Sequence, residues 1–279
     1  MTSLKIGGCF LVTDSAFENL FSSIGSQLTE LCLQEAAKLC TAFEKLVEHG
    51  QRLKYLTLKR CTKLGDDQFK LASKLPNLRK FKMIEPGNIS DEAIQQMLEG
   101  IGPKLQELSL SGYAFNLHDL SLVRFNNMTD QILESLLKCE QITHMSLKNC
   151  TSLTSPGLES FFARHPLKLK KLNLCRLVHI EDSVIATLLA KIKNTIEYLN
   201  LNALDELTTL KLEGLSQLKR VDVSWIRCID DETLLDLEKG DKLEEIKCYG
   251  CLKISRGAGD RIWENKNGQV IRVKGIEYD

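Results

Sequence analysis

The sequence predicts an α/β solenoid, with parallel strands on a concave face and helices on the convex face. Three observations predict it. Leucine accounts for 48 of the 279 residues. The frame apolar-x-x-apolar-x-apolar recurs from one end of the chain to the other. A segment of helical spacing follows most copies, and neither element can bury its apolar side except against the next copy.

The first copy is truncated, at Leu4/Ile6. Full copies follow at Leu28/Leu31/Leu33, Leu53/Leu56/Leu58, Leu78/Phe81/Met83 and Leu105/Leu108/Leu110. The series continues at Leu117/Leu120/Leu122, Ile142/Met145/Leu147, Leu169/Leu172/Leu174 and Ile196/Leu199/Leu201. Leu218/Val221/Val223 and Leu243/Ile246/Cys248 complete it, with a partial copy at Val270/Val273. Counted from Met1, the spacings are 27, 25, 25, 27, 12, 25, 27, 27, 22, 25 and 27 residues, the period of leucine-rich repeats. Frame positions four and six are two apart on a strand and share the core face; positions three, five and seven take the other. In Ser90-Asp91-Glu92-Ala93-Ile94, backed by Met97, Leu98 and Ile101, a polar residue precedes an apolar helical run. That suits an N-cap, whose side chain accepts from free first-turn amides. Residues 1–279 therefore read as a single leucine-rich repeat domain of about 11 coils.

Two breaks interrupt the period. Only 12 residues separate Leu105 from Leu117, too few for a strand, a return segment and a second parallel strand. The coil at 105–117 is thus irregular, Ser111 to Asn116 replacing a helix. The 22-residue coil from Ile196 predicts a short helix or turn at Leu210 to Leu215. Near the C-terminus, Arg261-Ile262-Trp263 is expected to form a last helix that stops at Asn267-Gly268, before a strand from Val270 to Val273. The first frame opens without a polar cap, so a missing N-terminal segment or another chain is expected to cover its apolar edge.

Composition excludes several classes. Apolar residues make up 43% of the chain, and Lys plus Arg equal Asp plus Glu at 37 each. That argues against wholesale disorder and against a strongly basic nucleic-acid footprint. No apolar run approaches the ~18 residues of a membrane span. The stretch Cys9 to Val12 is too short for a signal-peptide core. The chain reads as intracellular, with its ten cysteines reduced.

Chemical motifs are sparse. Cys248-x-x-Cys251 has the spacing of half a zinc site, but no second Cys or His pair follows at ligand spacing. Both residues occupy repeat positions and read as buried thiols, as do Cys61, Cys139 and Cys150. His49, His118, His144, His165 and His179 are scattered over different coils. No metalloprotease motif, nucleophile elbow, P-loop or dinucleotide fingerprint is present. Asp14, Asp91, Asp130 and Asp231 recur at one repeat position, as turn and cap residues. No enzyme, cofactor or metal site is expected.

Beyond the strand frame, several copies add a cysteine at position nine and an apolar-Thr/Ser/Asp-Asp signature. Cys9 precedes Val12-Thr13-Asp14, Cys61 precedes Leu64-Gly65-Asp66, and Cys150 precedes Leu153-Thr154. Ile89-Ser90-Asp91, Met128-Thr129-Asp130, Ile180-Glu181-Asp182 and Ile229-Asp230-Asp231 carry the signature without that cysteine. Over nearly its whole length the chain resembles the cysteine-containing leucine-rich repeat family. That family includes the substrate-binding halves of F-box ubiquitin-ligase receptors. More narrowly, Leu218 to Leu234, Leu243 to Cys251 and Gly268 to Gly275 are similar to the C-terminal repeats of the leucine-rich repeat subunits of fungal global-genome nucleotide excision repair complexes.

The narrower resemblance implies a nuclear interaction subunit, with the cytoplasm as the other location, that recognises damaged chromatin or a substrate protein. Its implied partners are elongin C, a cullin and a Swi/Snf-type ATPase; DNA is contacted only weakly or indirectly, and no membrane is involved. The alternative is the substrate receptor of an F-box (SCF-type) ligase in cell-cycle control, docking through a Skp-type adaptor, although no F-box motif occurs in these residues. Enzyme-regulating repeat proteins fit less well, because their repeats are longer.

Partner-binding residues are expected on the concave face: Tyr55, Lys59, Lys80, Lys82, Lys148, Lys171, Tyr198, Arg220, Lys247 and Tyr249, with Trp225 just past a strand. Tyr, Trp and Arg are the types most often found at binding hot spots. Lys59, Lys80 and Lys82 read as one positive patch without an intervening acid, able to steer an acidic partner.

Overall fold

The structure, a computed structural model, describes residues 2–85, 89–111, 129–177, 179–255, 262–264, 268 and 270–275. The chain folds as two compact units, Met1–Ile142 and Thr143–Asp279. The first contains β1 (Ser3–Ile6), α1 (Asp14–Ile24), β2 (Glu30–Gln34), α2 (Ala42–His49) and β3 (Tyr55–Lys59). It continues with α3 (Asp66–Ala72), β4 (Lys80–Ile84), α4 (Asp91–Ile101), β5 (Glu107–Ser111) and α5 (Gln131–Leu136). Strands β1 to β5 are parallel and pair in chain order, in a register that sets frame position four against position four: Leu31 beside Leu56, Leu56 beside Phe81, Phe81 beside Leu108.

The second unit contains β6 (His144–Ser146), α6 (Ser155–Arg164), β7 (Lys171–Asn173), α7 (Asp182–Ile192) and β8 (Tyr198–Asn200). Then come β9 (Arg220–Asp222), α8 (Asp231–Glu238), β10 (Glu245–Lys247), β11 (Ile262–Glu264) and β12 (Val270–Lys274). Strands β6 to β10 are parallel, β12 adds parallel to β10, and β11 runs antiparallel on β12. Both units are therefore α/β stacks of leucine-rich coils, the predicted fold class. Leu31, Leu56, Leu108, Leu172 and Leu199 are between 0 and 2% exposed, which places frame position four in the core. Ser90 caps α4 as its position predicts, its hydroxyl accepting from the Ala93 amide at 3.2 Å.

Two further periodic devices join the coils. The residue at frame position eight has a left-handed backbone wherever it is described: Gly8, Glu35, Arg60, Glu85, Asn149, Arg176, Ala203, Trp225 and Gly250 have φ between 50° and 68°. For a residue other than glycine that conformation costs roughly 1–2 kcal/mol. It turns the amide toward the next coil, where it donates to the position-seven carbonyl: Glu35 to Lys59 at 2.7 Å, Arg176 to Asn202 at 2.9 Å, Trp225 to Tyr249 at 2.6 Å. The second device is the aspartate that opens five of the eight described helices, α1, α3, α4, α7 and α8. Asp14, Asp66, Asp91, Asp182 and Asp231 accept from the amides of Cys40, Ser90, Thr129, Thr208 and Ser255, at 2.6–2.9 Å. They cap the start of the following coil rather than their own helix.

The ends and breaks of the repeat differ in part from expectation. Ile262–Glu264 is strand, not helix. A piece this short cannot repay helix nucleation, whereas pairing satisfies the open edge of β12. No helix follows β8 in the 22-residue coil, which closes in turns over buried Leu210, Leu212 and Leu215. The copy Leu117/Leu120/Leu122, and with it most of the irregular coil, lies outside the described residues. In the first coil Leu4 and Ile6 are half-buried, and Phe10 and Leu11 are 56% and 72% exposed.

Candidate interaction surface

Because positions four and six are committed to the core, positions three and five of the described coils face outward, as does position seven except where Cys175 and Ser224 are buried. In the first unit, Lys80 lies 5.3 Å from the centre of the Tyr55 ring and 3.3 Å from the Glu107 carboxylate. Lys82 reaches the same carboxylate at 2.6 Å. Burial pushes the Glu107 carboxyl up, but the hydrogen bonds and charges of Lys82 and Lys80 outweigh it and hold the group below its ordinary value. The expected patch of Lys59, Lys80 and Lys82 is thus not free of acid. Glu107, one coil further on, stands between two of its three cations. Beside it, at position eight, Arg60 bridges Glu85 (2.6 Å) and Glu35 (3.0 Å).

Reversal of both lysines should therefore not be neutral to folding. Lys80→Glu with Lys82→Glu would set two carboxylates against Glu107, whose side chain is 14% exposed. The expected loss is about 1–2 kcal/mol, read by urea denaturation at neutral pH and relieved by adding Glu107→Gln. An unchanged midpoint in the double variant would show that these contacts carry no stability.

In the second unit the same rows carry a different chemistry. Lys171 lies 4.7 Å and Arg220 5.5 Å from the centre of the Tyr198 ring, one from each flanking strand. Asn173, Asn200 and Asp222, at position five, each accept from the backbone amide two residues on, at 2.9, 3.0 and 3.1 Å. Such Asx-type closure follows directly on the ends of β7, β8 and β9. Lys148, half-exposed, takes position seven of the first coil in this unit. Lys247 sits 3.7 Å from Glu245, which also holds Lys274 at 2.8 Å.

Trp225 and Tyr249 are 58% and 39% exposed. The Trp225 ring rests on Gly250, where a Cβ would meet ring carbons at 2.3–2.6 Å. With φ of +67° as well, glycine is required there, and it holds an exposed indole in place. Neither Gly250 nor the row of asparagines was singled out by the sequence. Their signal was the repeat of Asn or Asp at position five in three successive coils.

Most of the cysteines are buried, and the described histidines are dispersed over different coils. All ten thiols are free. Burial pushes Cys61 and Cys251 up to about 11, and Cys139 and Cys248 up to about 12. A neutral buried thiol is neither nucleophile nor metal ligand at neutral pH. His165 is buried against Phe161, and His179 pairs with Glu206 at 2.7 Å on the surface. Among the described residues, no group of three or more His, Cys, Asp or Glu side chains is placed to hold a metal ion.

Comparison with known proteins adds to this geometry. No protein-family model matches the chain. It is 29% identical over 262 residues to DNA repair protein rhp7 of Schizosaccharomyces pombe, which covers 90% of this chain and 44% of that protein. It is 26% identical over 261 residues to DNA repair protein RAD7 of Saccharomyces cerevisiae, covering 90% of this chain and 45% of that protein. The chain thus spans under half the length of the curated relatives it matches. Among solved structures, a complex of Rad7 and Elc1 from yeast aligns over 97% of this chain and 80% of that one, with a TM-score of 0.51 and 19% identity. At that identity the likeness speaks for the fold. The chain is a leucine-rich repeat protein similar, over 90% of its length, to the DNA repair proteins rhp7 and RAD7.

Proposed function

We propose that this chain is a non-enzymatic interaction subunit of a nuclear nucleotide excision repair assembly, coupled to an elongin C and cullin ubiquitin ligase. It presents its strand faces to a substrate protein or to damaged chromatin through other proteins, with DNA contacted only weakly. The observation that carries the reading is the similarity to two DNA repair proteins along 90% of the chain. The existence of a Rad7 and Elc1 complex supports a ubiquitin-ligase component as partner. The polar strand faces, with isolated exposed aromatics at Tyr55, Trp225 and Tyr249, suit protein recognition.

The test is affinity purification of the native full-length protein from its own cells, with partners identified by mass spectrometry. An elongin C-type protein and a Swi/Snf-type ATPase are the expected partners, and deletion of the locus is expected to sensitise cells to ultraviolet light. Recovery of a Skp-type adaptor in their place, with wild-type ultraviolet resistance, would assign the chain to the F-box class and overturn the proposal.

A further inference from the structure

We infer that the outward face of β6 to β9 is a docking surface for an acidic, extended peptide segment of a partner protein. The inference rests on reading the strand face as protein-binding, and it adds the chemistry of what binds there. Its first support is charge. Among the described outward positions of these four coils, Lys148, Lys171 and Arg220 face a single carboxylate, Asp222. One Asp222 oxygen already accepts from the Ser224 amide at 3.1 Å. The acids at the margin are paired: Glu197 with Lys219 at 2.8 Å, Glu244 with the Arg220 ε nitrogen at 3.5 Å, and Glu245, beside Arg220 in the β9–β10 register, with Lys274 at 2.8 Å.

The second support is the orientation of the amides. Asn173 and Asn200 turn their Oδ1 atoms to the backbone, accepting from Cys175 and Asn202. Asn202 turns its Oδ1 to the Cys175 thiol at 3.5 Å. With each carbonyl oxygen engaged, the amino groups remain as the available ends, and each carries two N–H donors. The face thus offers positive charge and N–H donors but few acceptors. A ligand that satisfies it is anionic and rich in acceptors, and hydrogen bonds to carboxylates are the stronger, charge-assisted kind.

The third support separates acidic peptide from nucleic acid. Binding of single strands relies on open aromatic faces on which bases stack. The Tyr198 ring is instead occupied by Lys171 and Arg220. A chain of carboxylates needs no such face. The first unit lacks this character, since Lys80 and Lys82 already hold Glu107.

The test uses the full chain and a fluorescein-labelled peptide of alternating glutamate and serine, read by anisotropy. A matched glutamine–serine peptide and a labelled single-stranded oligonucleotide are run beside it. The glutamate peptide is expected to bind, more weakly as salt rises, and the glutamine peptide to fail. Lys171→Glu with Arg220→Glu should weaken binding by on the order of ten-fold or more, while Lys70→Glu on α3 leaves it unchanged. If the reversal fails to fold, Lys171→Gln with Arg220→Gln is read instead and should weaken binding several-fold. Three results would overturn the inference: no binding of the glutamate peptide, binding indifferent to both variants, or preference for the oligonucleotide. Native partners that co-purify with a chain that fails to bind the glutamate peptide would leave the proposed function standing and refute this surface alone.

Discussion

Leu172→Asp is expected to destabilise the chain by about 4–5 kcal/mol. Deleting a buried leucine to alanine costs roughly 2–5 kcal/mol, and a carboxylate left without a partner in the same place adds to it. Leu172 is 2% exposed and stands between Met145 on β6 and Leu199 on β8 in the core-facing row. Leu172→Ala, as a companion, should lose about 3 kcal/mol, and the gap between the two variants measures the charge. That gap should narrow as pH falls, because burial raises the carboxyl pKa and the neutral acid is the less costly form. Urea denaturation at several pH values checks both. A wild-type midpoint for Leu172→Asp would remove Leu172 from the core and with it the frame on which every strand was assigned.

The frame was legible because it is a demand on side chains. A strand that buries one face must place apolar groups two residues apart, whatever else it does. The position-eight turn was not legible, for the opposite reason. It is a demand on the backbone, met by Glu35, Arg60, Ala203 and Trp225 alike, which share no side-chain property. What offsets the strained φ is an amide that bonds to a neighbouring coil, and no local pattern announces a partner some 25 residues away. The last helix was misread on similar grounds. Three residues set no period, and Ile262-Trp263 suits a strand as well as a helix.

The surface was legible as a set of residues but not as a set of pairs. Tyr55, Trp225 and Tyr249 are exposed and Tyr198 is half-exposed, whereas Cys175 and Ser224, from the same rows, are buried. Charge is different, because its meaning depends on the neighbouring strand. Lys80 and Lys82 look like a cluster along the chain, yet the register β4 to β5 sets Lys80 beside Glu107. Lys171 and Arg220 are 49 residues apart, and only the pairing of β7, β8 and β9 brings both to Tyr198. Lys171, Tyr198 and Arg220 were each expected on the face, but their meeting was not.

Asp14→Ala should show how much of the stack depends on capping from coil to coil. The Asp14 carboxylate accepts from the amides of Cys40 (2.7 Å) and Ala42 (3.2 Å) and from the Thr41 hydroxyl, and Ala42 is buried. It also sits in the first turn of α1, where a negative charge is favoured by the helix dipole. Hydrogen bonds to charged groups contribute roughly 1.5–3 kcal/mol each, and partial exposure trims the sum, so the variant should lose about 2–3 kcal/mol at neutral pH. Burial pushes this carboxyl up, but the bonds from Thr41, Cys40 and Ala42 prevail and leave it below its ordinary value of 3.8. A carboxyl whose folded pKa is depressed contributes its full stability above the unfolded value and loses it as pH falls through the folded one. The difference between wild type and Asp14→Ala should therefore be constant from neutral pH down to about 5, then close below pH 3.8 as the wild-type carboxylate takes up its proton. Asp14→Asn, which keeps one acceptor without the charge, should lie between the two. Urea midpoints across that range decide it. A variant as stable as wild type at neutral pH would mean that Asp14 merely decorates the turn. A gap that persists unchanged at pH 2 would mean that the lost stability came from packing and not from the ionised carboxylate.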